Sequence, residues 1–163
     1  MSPIRIAVIG AGYMGRFHAE KFAASPNAKL VAVADADGAR AAEIGRALGC
    51  EGATDFRPLL GKVDAVCVAV PTARHFEVVR ECLSAGVHVL VEKPLTPTLA
   101  EADALLAIAR EKKLVLQVGH LQRFNPAFRA LAADGGRPLF IDIERLAPFK
   151  VRGSDVDVRS EEH

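Results

Sequence analysis

Two rhythms alternate along this chain. "IRIAVIG" (Ile4 to Gly10) is a short apolar run suited to a strand buried on both faces. From Tyr13 to Ala24 the spacing lengthens: Tyr13, Met14, Phe17 and Phe22 recur near the helical period, and Ser25-Pro26-Asn27 breaks it. "KLVAVAD" is a second strand ending at Asp35, and Asp37 can cap a helix running through Leu48. A short helical turn follows over Phe56 to Leu60, then the strand "VDAVCVAV", a helix over "ARHFEVVRECLSAG" and the strand "VHVLVE". The helix "TLAEADALLAIAREKK" comes next, with Thr98 and Glu101 in capping-box spacing, and then the strand "LVLQVG".

Strand alternating with helix at this pace predicts an α/β fold with a doubly wound parallel sheet. After Gly119 the pattern changes. "RFNPAFRALAADGG" reads as a short helix ended by paired glycines. "RPLFIDIERLAPF" alternates Leu139, Ile141 and Ile143 with Phe140, Asp142 and Glu144, as a half-exposed strand would. The expected organisation is a dinucleotide-binding domain over residues 1–125. Residues 126–163 form a linker helix and the first strand of a second α/β domain, truncated because the chain stops soon after. An unpaired strand over 137–149 would put Phe140, Ile141 and Ile143 in a subunit contact or a mobile arm, so a homo-oligomer formed through it is one expectation. The polar residues beyond Arg152 are expected to be loosely held.

Half of the 163 residues are hydrophobic, enough for a core without metal or disulfide staples. The net charge of +1 offers no electrostatic case for nucleic acid or an anionic membrane as partner. The three cysteines, Cys50, Cys67 and Cys82, lack metal-ligand spacing and read as reduced, mostly buried thiols, with no metal site implied. A strand begins close behind Met1 with no basic-then-apolar leader, and no apolar run approaches the roughly 18 residues of a membrane span. A soluble, cytoplasmic protein is the expectation.

The chemistry begins at "GAGYMG", which sets Gly10, Gly12 and Gly15 in G-x-G-x-x-G spacing between the first strand and the first helix. Such a loop lets Gly10 turn tightly, Gly12 admit a pyrophosphate to the backbone, and Gly15 pack the helix on the sheet. The helix start, with Tyr13 and Met14, offers free N–H groups to the phosphates. Asp35 follows Gly15 at about the 20-residue offset of a ribose-binding acid. Its carboxylate would repel a 2′-phosphate, which favours NAD over NADP. Arg40, one helical turn later, could reach such a phosphate or simply lie solvated on its helix.

Four pieces, "GAGYMGRFHA", "VAVPTARH", "VEKPLT" and "QVGHLQRFNPA", together resemble the glucose-fructose oxidoreductase/inositol dehydrogenase family, Gfo/Idh/MocA, from the N-terminus to about Arg152. The resemblance implies a Rossmann domain joined to a C-terminal α/β domain, and NAD(P)-dependent oxidation of sugars, nucleotide sugars or cyclitols. The "GHLQRFNP" form looks most like members acting on nucleotide sugars. By the same resemblance Lys93 is the catalytic residue, binding the substrate hydroxyl and assisting proton transfer, and Glu92 lies near the nicotinamide ribose. Position agrees with this, because ligands of doubly wound sheets sit outside the carboxyl ends of the strands, where Glu92 and Lys93 emerge. A bound nicotinamide's positive charge would push the Lys93 ammonium toward releasing its proton. Pro71 and Thr72 should border the cofactor, and His75 either joins them or caps and packs its helix. His18 reads as structural. His120, Arg123 and Asn125 follow the last parallel strand and are candidates for the substrate side, Arg123 as a grip on a carboxylate or phosphate or as an interdomain ion pair.

The family's second domain supplies a catalytic histidine in an H-D motif, which "RLAPFKVRGSDVDV" and "RSEEH" do not contain. Two other readings therefore stand beside the dehydrogenase: a nucleotide-binding or regulatory module without turnover, and a reductase of another Rossmann class. The "EKP" and "GHLQRFNP" pieces argue against the latter. A sugar-type small molecule is the expected partner, and this chain alone is expected to bind NAD with little or no polyol oxidation.

Overall fold

The structure, a computed structural model, describes residues 2–133 together with Phe140, Asp142 and Glu144. The elements in order are β1 (Ile4–Ile9), α1 (Tyr13–Ala24), β2 (Ala28–Ala34), α2 (Gly38–Leu48), β3 (Glu51–Ala53), β4 (Ala65–Val68), α3 (His75–Ser84), β5 (His88–Val91), α4 (Leu99–Glu111), β6 (Leu116–Val118) and α5 (Pro126–Ala133). The chain divides into two compact units, residues 1–119 and 120–163.

The first unit is built on a six-stranded sheet in the order β3-β2-β1-β4-β5-β6. All its strand pairs are parallel. The order reverses between β1 and β4, the point at which a doubly wound sheet opens a crevice at the carboxyl ends of its strands. Alternation along each central strand sorts side chains into two layers. Ala7, Ile9, Ala32, Ala34, Val66 and Val68 face one way, joined by Val78, Val79, Cys82 and Leu83 of α3 and Leu105 and Ala109 of α4. Val8, Val33 and Cys67 face the other way, with Ala19 of α1 and Ile44 of α2. Because every central strand is covered on both faces, its sequence reads as a continuous apolar run.

The expected doubly wound α/β fold is what the structure has, with three local differences. The Tyr13, Met14, Phe17 and Phe22 spacing marks the helix α1 but does not trace its buried face: Tyr13 is 79% and Phe17 44% exposed, Phe22 packs partly against the core, and Gly15 and Ala19 are buried. The helix meets the sheet through its small residues, which bring the backbones close. The strand β3 went unanticipated, since "EGA" is not apolar; it forms by pairing with Ala32–Ala34. Finally, β2 ends at Ala34, so Asp35 is the first residue beyond the strand.

The local signals worked as physics requires. Asp37 caps α2 by accepting the Arg40 N–H at 3.1 Å. Thr98 caps α4, its hydroxyl oxygen accepting the Glu101 N–H at 3.3 Å while the hydroxyl donates to Glu101 Oε2 at 2.9 Å. The cysteines are free, with Cys67 and Cys82 buried. In the second unit a 3-10 turn over Leu121–Phe124 leads into α5. The strand expected over 137–149 and the tail beyond Arg152 lie outside the described residues, apart from Phe140, Asp142 and Glu144, which are exposed. Among the described residues no helix is long and apolar enough to cross a membrane.

Candidate functional site

The site begins where β1 ends. Gly10 has φ of 97°, a left-handed conformation that a side chain would strain, and a Cβ there would lie 2.5 Å from the Ala69 carbonyl oxygen. At Gly15 a Cβ would collide with the Gly10 carbonyl oxygen, which explains how α1 comes to start so close beneath the loop. Gly12 differs: a Cβ there meets nothing within 4 Å. Its open side fronts the start of α1, whose first turn has no side-chain cap. The N–H groups of that turn and the positive end of the helix dipole are therefore available to an anion.

Asp35 sits beside this loop with its side chain 13% exposed. Its Oδ2 accepts the Ala11 N–H at 2.6 Å and its Oδ1 the Asp37 N–H at 2.8 Å. The acid thus braces the glycine loop as well as facing the crevice, a contact that the offset from Gly15 does not reveal. The Arg40 guanidinium lies 3.8 Å from Asp35 Oδ2 and 3.1 Å from Asp37 Oδ2. A cavity of about 410 Å³ opens between the loop and α2, lined by Ala11, Gly12, Tyr13, Arg16, Arg40 and Ile44 among others. That is within the size range of small-ligand sites.

The other half of the edge is made by the ends of β4, β5 and β6. Pro71 and Thr72 lead from β4 into a 3-10 turn over Thr72–Arg74. His75 follows at the start of α3 and is 1% exposed. Its Nδ1 lies 2.8 Å from the Pro94 carbonyl oxygen and its Nε2 3.0 Å from that of Val70. His75 therefore bears on the crevice through the backbone it ties together, both ring nitrogens being turned into the protein.

Glu92 follows β5 and is buried, whereas Lys93 beside it is exposed and precedes a cis bond to Pro94. Glu92 Oε1 lies 2.6 Å from His18 Nε2 on α1, and both side chains are nearly enclosed, 12% exposed for His18 and 11% for Glu92. Glu92 Oε2 accepts the Lys93 N–H at 3.3 Å. The hydrogen bond from His18 comes first among the influences that hold the Glu92 carboxyl below its ordinary range, outweighing burial, which acts the other way. Gly119, just beyond β6, completes the surround: a Cβ there would stand 3.2 Å from Glu92 Oε1. Neither the His18 partner nor the Gly119 wall was foreseen. The available signal was position, since His18 lies one turn after Gly15 and next to Ala19, the buried residues of its helix.

The first unit thus brings Gly10, Gly12, Tyr13, Met14, Gly15, Asp35, Pro71, Thr72, His75, Glu92 and Lys93 to the carboxyl edge of one sheet. His120, Arg123 and Asn125 belong to the second unit. There the Arg123 N–H donates to the His120 carbonyl at 3.0 Å. Asn125 is occupied locally: Oδ1 accepts the Ala127 N–H at 3.0 Å as a cap on α5, and Nδ2 donates to Gln122 Oε1 at 3.0 Å.

Known proteins share this layout. Residues 4–120 match the model of the GFO_IDH_MocA oxidoreductase family, described as an NAD-binding Rossmann fold. UDP-N-acetylglucosamine 3-dehydrogenase of Acidithiobacillus ferrooxidans is 46% identical over 159 residues, covering 97% of this chain and 50% of that protein. Its solved structure superposes with a TM-score of 0.89 over 97% of this chain and 52% of its own. The NAD(+)-dependent scyllo-inositol 2-dehydrogenase of Bacillus subtilis is 36% identical over 146 residues, 84% of this chain and 43% of that protein. A 3-ketoreductase from Actinomadura kijaniata, solved with TDP-benzene and NADP in an open conformation, is 34% identical with a TM-score of 0.77, covering 81% of this chain and 43% of its own. The chain spans about half the length of these relatives.

Proposed function

The chain belongs to the Gfo/Idh/MocA oxidoreductase family, and on that premise we propose that it is the cofactor-holding half of an NAD-dependent dehydrogenase acting on a secondary hydroxyl of a sugar, nucleotide sugar or cyclitol. The observation that carries the reading is the shared sheet edge. The uncapped start of α1, with open space at Gly12, and the Lys93 turn after β5 lie on either side of the point where strand order reverses.

In this reading the N–H groups around Gly12, Tyr13 and Met14 hold the pyrophosphate, with Gly10 and Gly15 shaping the turn. Asp35 accepts from the adenosine ribose. Pro71, Thr72 and Glu92 border the nicotinamide end, and His75 secures the backbone there. The bound nicotinamide supplies the hydride exchange. Lys93 contacts the reacting hydroxyl and moves its proton. His120, Arg123 and Asn125 belong to the substrate side, Asn125 by shaping the turn it caps. Preference for NAD rests on Asp35, whose carboxylate stands where a 2′-phosphate would arrive. A nucleotide-sugar substrate is supported by the 46% identity to a UDP-N-acetylglucosamine dehydrogenase.

The proposed organisation is a cofactor domain over 1–125 and the beginning of a substrate domain over 126–163, with pairing of copies through the latter. Three free cysteines support a cytoplasmic setting. Alone, the 163 residues bind cofactor without turning over polyols at enzyme rates, a reading supported by their spanning about half the length of the relatives and by the exposure of Lys93 among the described residues. Calorimetric titration with NAD and NADP, followed by a turnover assay on a panel of sugars and nucleotide sugars, tests the proposal. Absence of binding to either cofactor overturns it. Ordinary turnover by this chain would show that the active site is complete without the missing half.

A further inference from the structure

Among the described residues, the buried polar or charged side chains are His75 and Glu92. Both fasten the same turn. His75 reaches the Pro94 carbonyl and Glu92 the Lys93 N–H. Each also anchors that turn to a different element: His75 to Val70 after β4, and Glu92 to His18 on α1. Well-packed apolar residues would stabilise this interior at least as well as a buried charged pair. The pair is better explained by what it holds in place.

His18 is fixed for this task. Its ring stacks on Phe22 one turn later, with centroids 6.2 Å apart and planes at 20°. An ionised carboxylate can only accept, so Nε2 of His18 carries the proton in the 2.6 Å contact. Gly119 keeps the space beside the carboxylate free of a side chain, since even a Cβ there would stand 3.2 Å from Glu92 Oε1. Glu92 is held between a donor on the phosphate-binding helix and the end of β6.

Resting on the dehydrogenase reading, we propose that His18 is a positioning residue for the nicotinamide half of the site: its hydrogen bond to Glu92 sets the Lys93 turn in register with the helix that receives the phosphates. His18 touches neither cofactor nor substrate. It acts by making the two ends of the crevice a single rigid frame, so that a dinucleotide gripped at α1 presents its nicotinamide end to a turn already in place. Ligands lacking the nicotinamide gain nothing from this frame.

The experiment compares NADH with ADP, which carries the adenosine and both phosphates but neither the second ribose nor the nicotinamide. Both are titrated by calorimetry into the full 163-residue chain and its variants. His18→Leu removes the donor; His18→Gln offers an amide donor of similar reach. The expected result is a roughly tenfold loss of NADH affinity in His18→Leu, the scale of one charge-assisted hydrogen bond. ADP binding stays within about twofold, and His18→Gln recovers most of the loss. If His18→Leu does not fold, His18→Asn, whose shorter amide cannot span to Glu92, takes its place against His18→Gln. Unchanged NADH binding, equal weakening of NADH and ADP, or failure of the glutamine to rescue would each overturn the inference while leaving the cofactor reading standing. A wild-type chain that binds neither ligand overturns both.

Discussion

Arg40 holds its guanidinium 3.8 Å from the Asp35 carboxylate and 3.1 Å from that of Asp37. A cation is therefore present at the end of β2, but two carboxylates already share it. A 2′-phosphate arriving there would meet Asp35 first, whereas ribose hydroxyls would find an acceptor. We expect Asp35→Ser to leave Arg40 with Asp37 as its remaining carboxylate of the two, raising NADP affinity about tenfold and lowering NAD affinity by a similar factor, about 1.4 kcal/mol each way. Paired titrations of the two cofactors check it. If the serine variant still discriminates as the wild type does, the selectivity lies elsewhere.

Gly12 provides a cleaner test of the phosphate site. Its added Cβ meets nothing within 4 Å, so Gly12→Val should fold normally and melt within a few degrees of the wild type. The side chain would fill the open space in front of α1, and binding of both NADH and ADP should be lost. Normal binding by a folded valine variant would move the phosphate site away from this loop.

Acid should expose the contribution of Glu92. The His18 hydrogen bond, first among the influences on it, holds its folded pKa below the ordinary carboxylate range. A carboxyl of that kind contributes stability above its unfolded pKa and loses it as pH falls through the lower folded value. The urea-midpoint difference between wild type and Glu92→Gln should be largest at neutral pH and shrink below pH 4.5. A difference that stays constant down to about pH 3 would separate the glutamate's role from its charge.

Burial pushes the Cys67 and Cys82 thiols up to about 12. Thiolate is the reactive form, so both should resist iodoacetamide in the native chain at pH 7 and equally at pH 9. The half-buried Cys50 is the expected site of any slow labelling. Peptide mass mapping before and after unfolding distinguishes the three. Native labelling of Cys67 would mean that β4 opens far more readily than its packing implies.

Much of the first unit was legible because parallel strands buried on both faces announce themselves as apolar runs, and because caps such as Asp37 and Thr98 act locally. What stayed hidden has physical causes. Gly15 and Ala19 carry α1 onto the sheet, yet small residues contribute almost nothing to a hydrophobic periodicity, so the spacing of Tyr13 and Phe17 announced a helix without revealing its buried face. The strand β3 exists only because β2 offers it a partner. His18 and Glu92 are separated by 74 positions, and their contact depends on how the α1 helix packs against the sheet, which no local pattern encodes. The loop glycines were the opposite case: Gly10 and Gly15 each have a steric reason at their own positions, and Gly12 keeps its side open.

The glycine loop has a kinetic meaning. Gly10 donates to the Ala34 carbonyl at 2.7 Å, Asp35 holds Ala11, and Gly15 closes against Gly10, so the cradle has its shape before any anion arrives. The loop itself has no shape left to acquire, and among the described residues nothing stands within 4 Å of a Cβ on the open face at Gly12. Arrival should then be governed by diffusion and orientation. Substitutions around the crevice should be felt mainly in how long the dinucleotide stays, rather than in how often it finds the site.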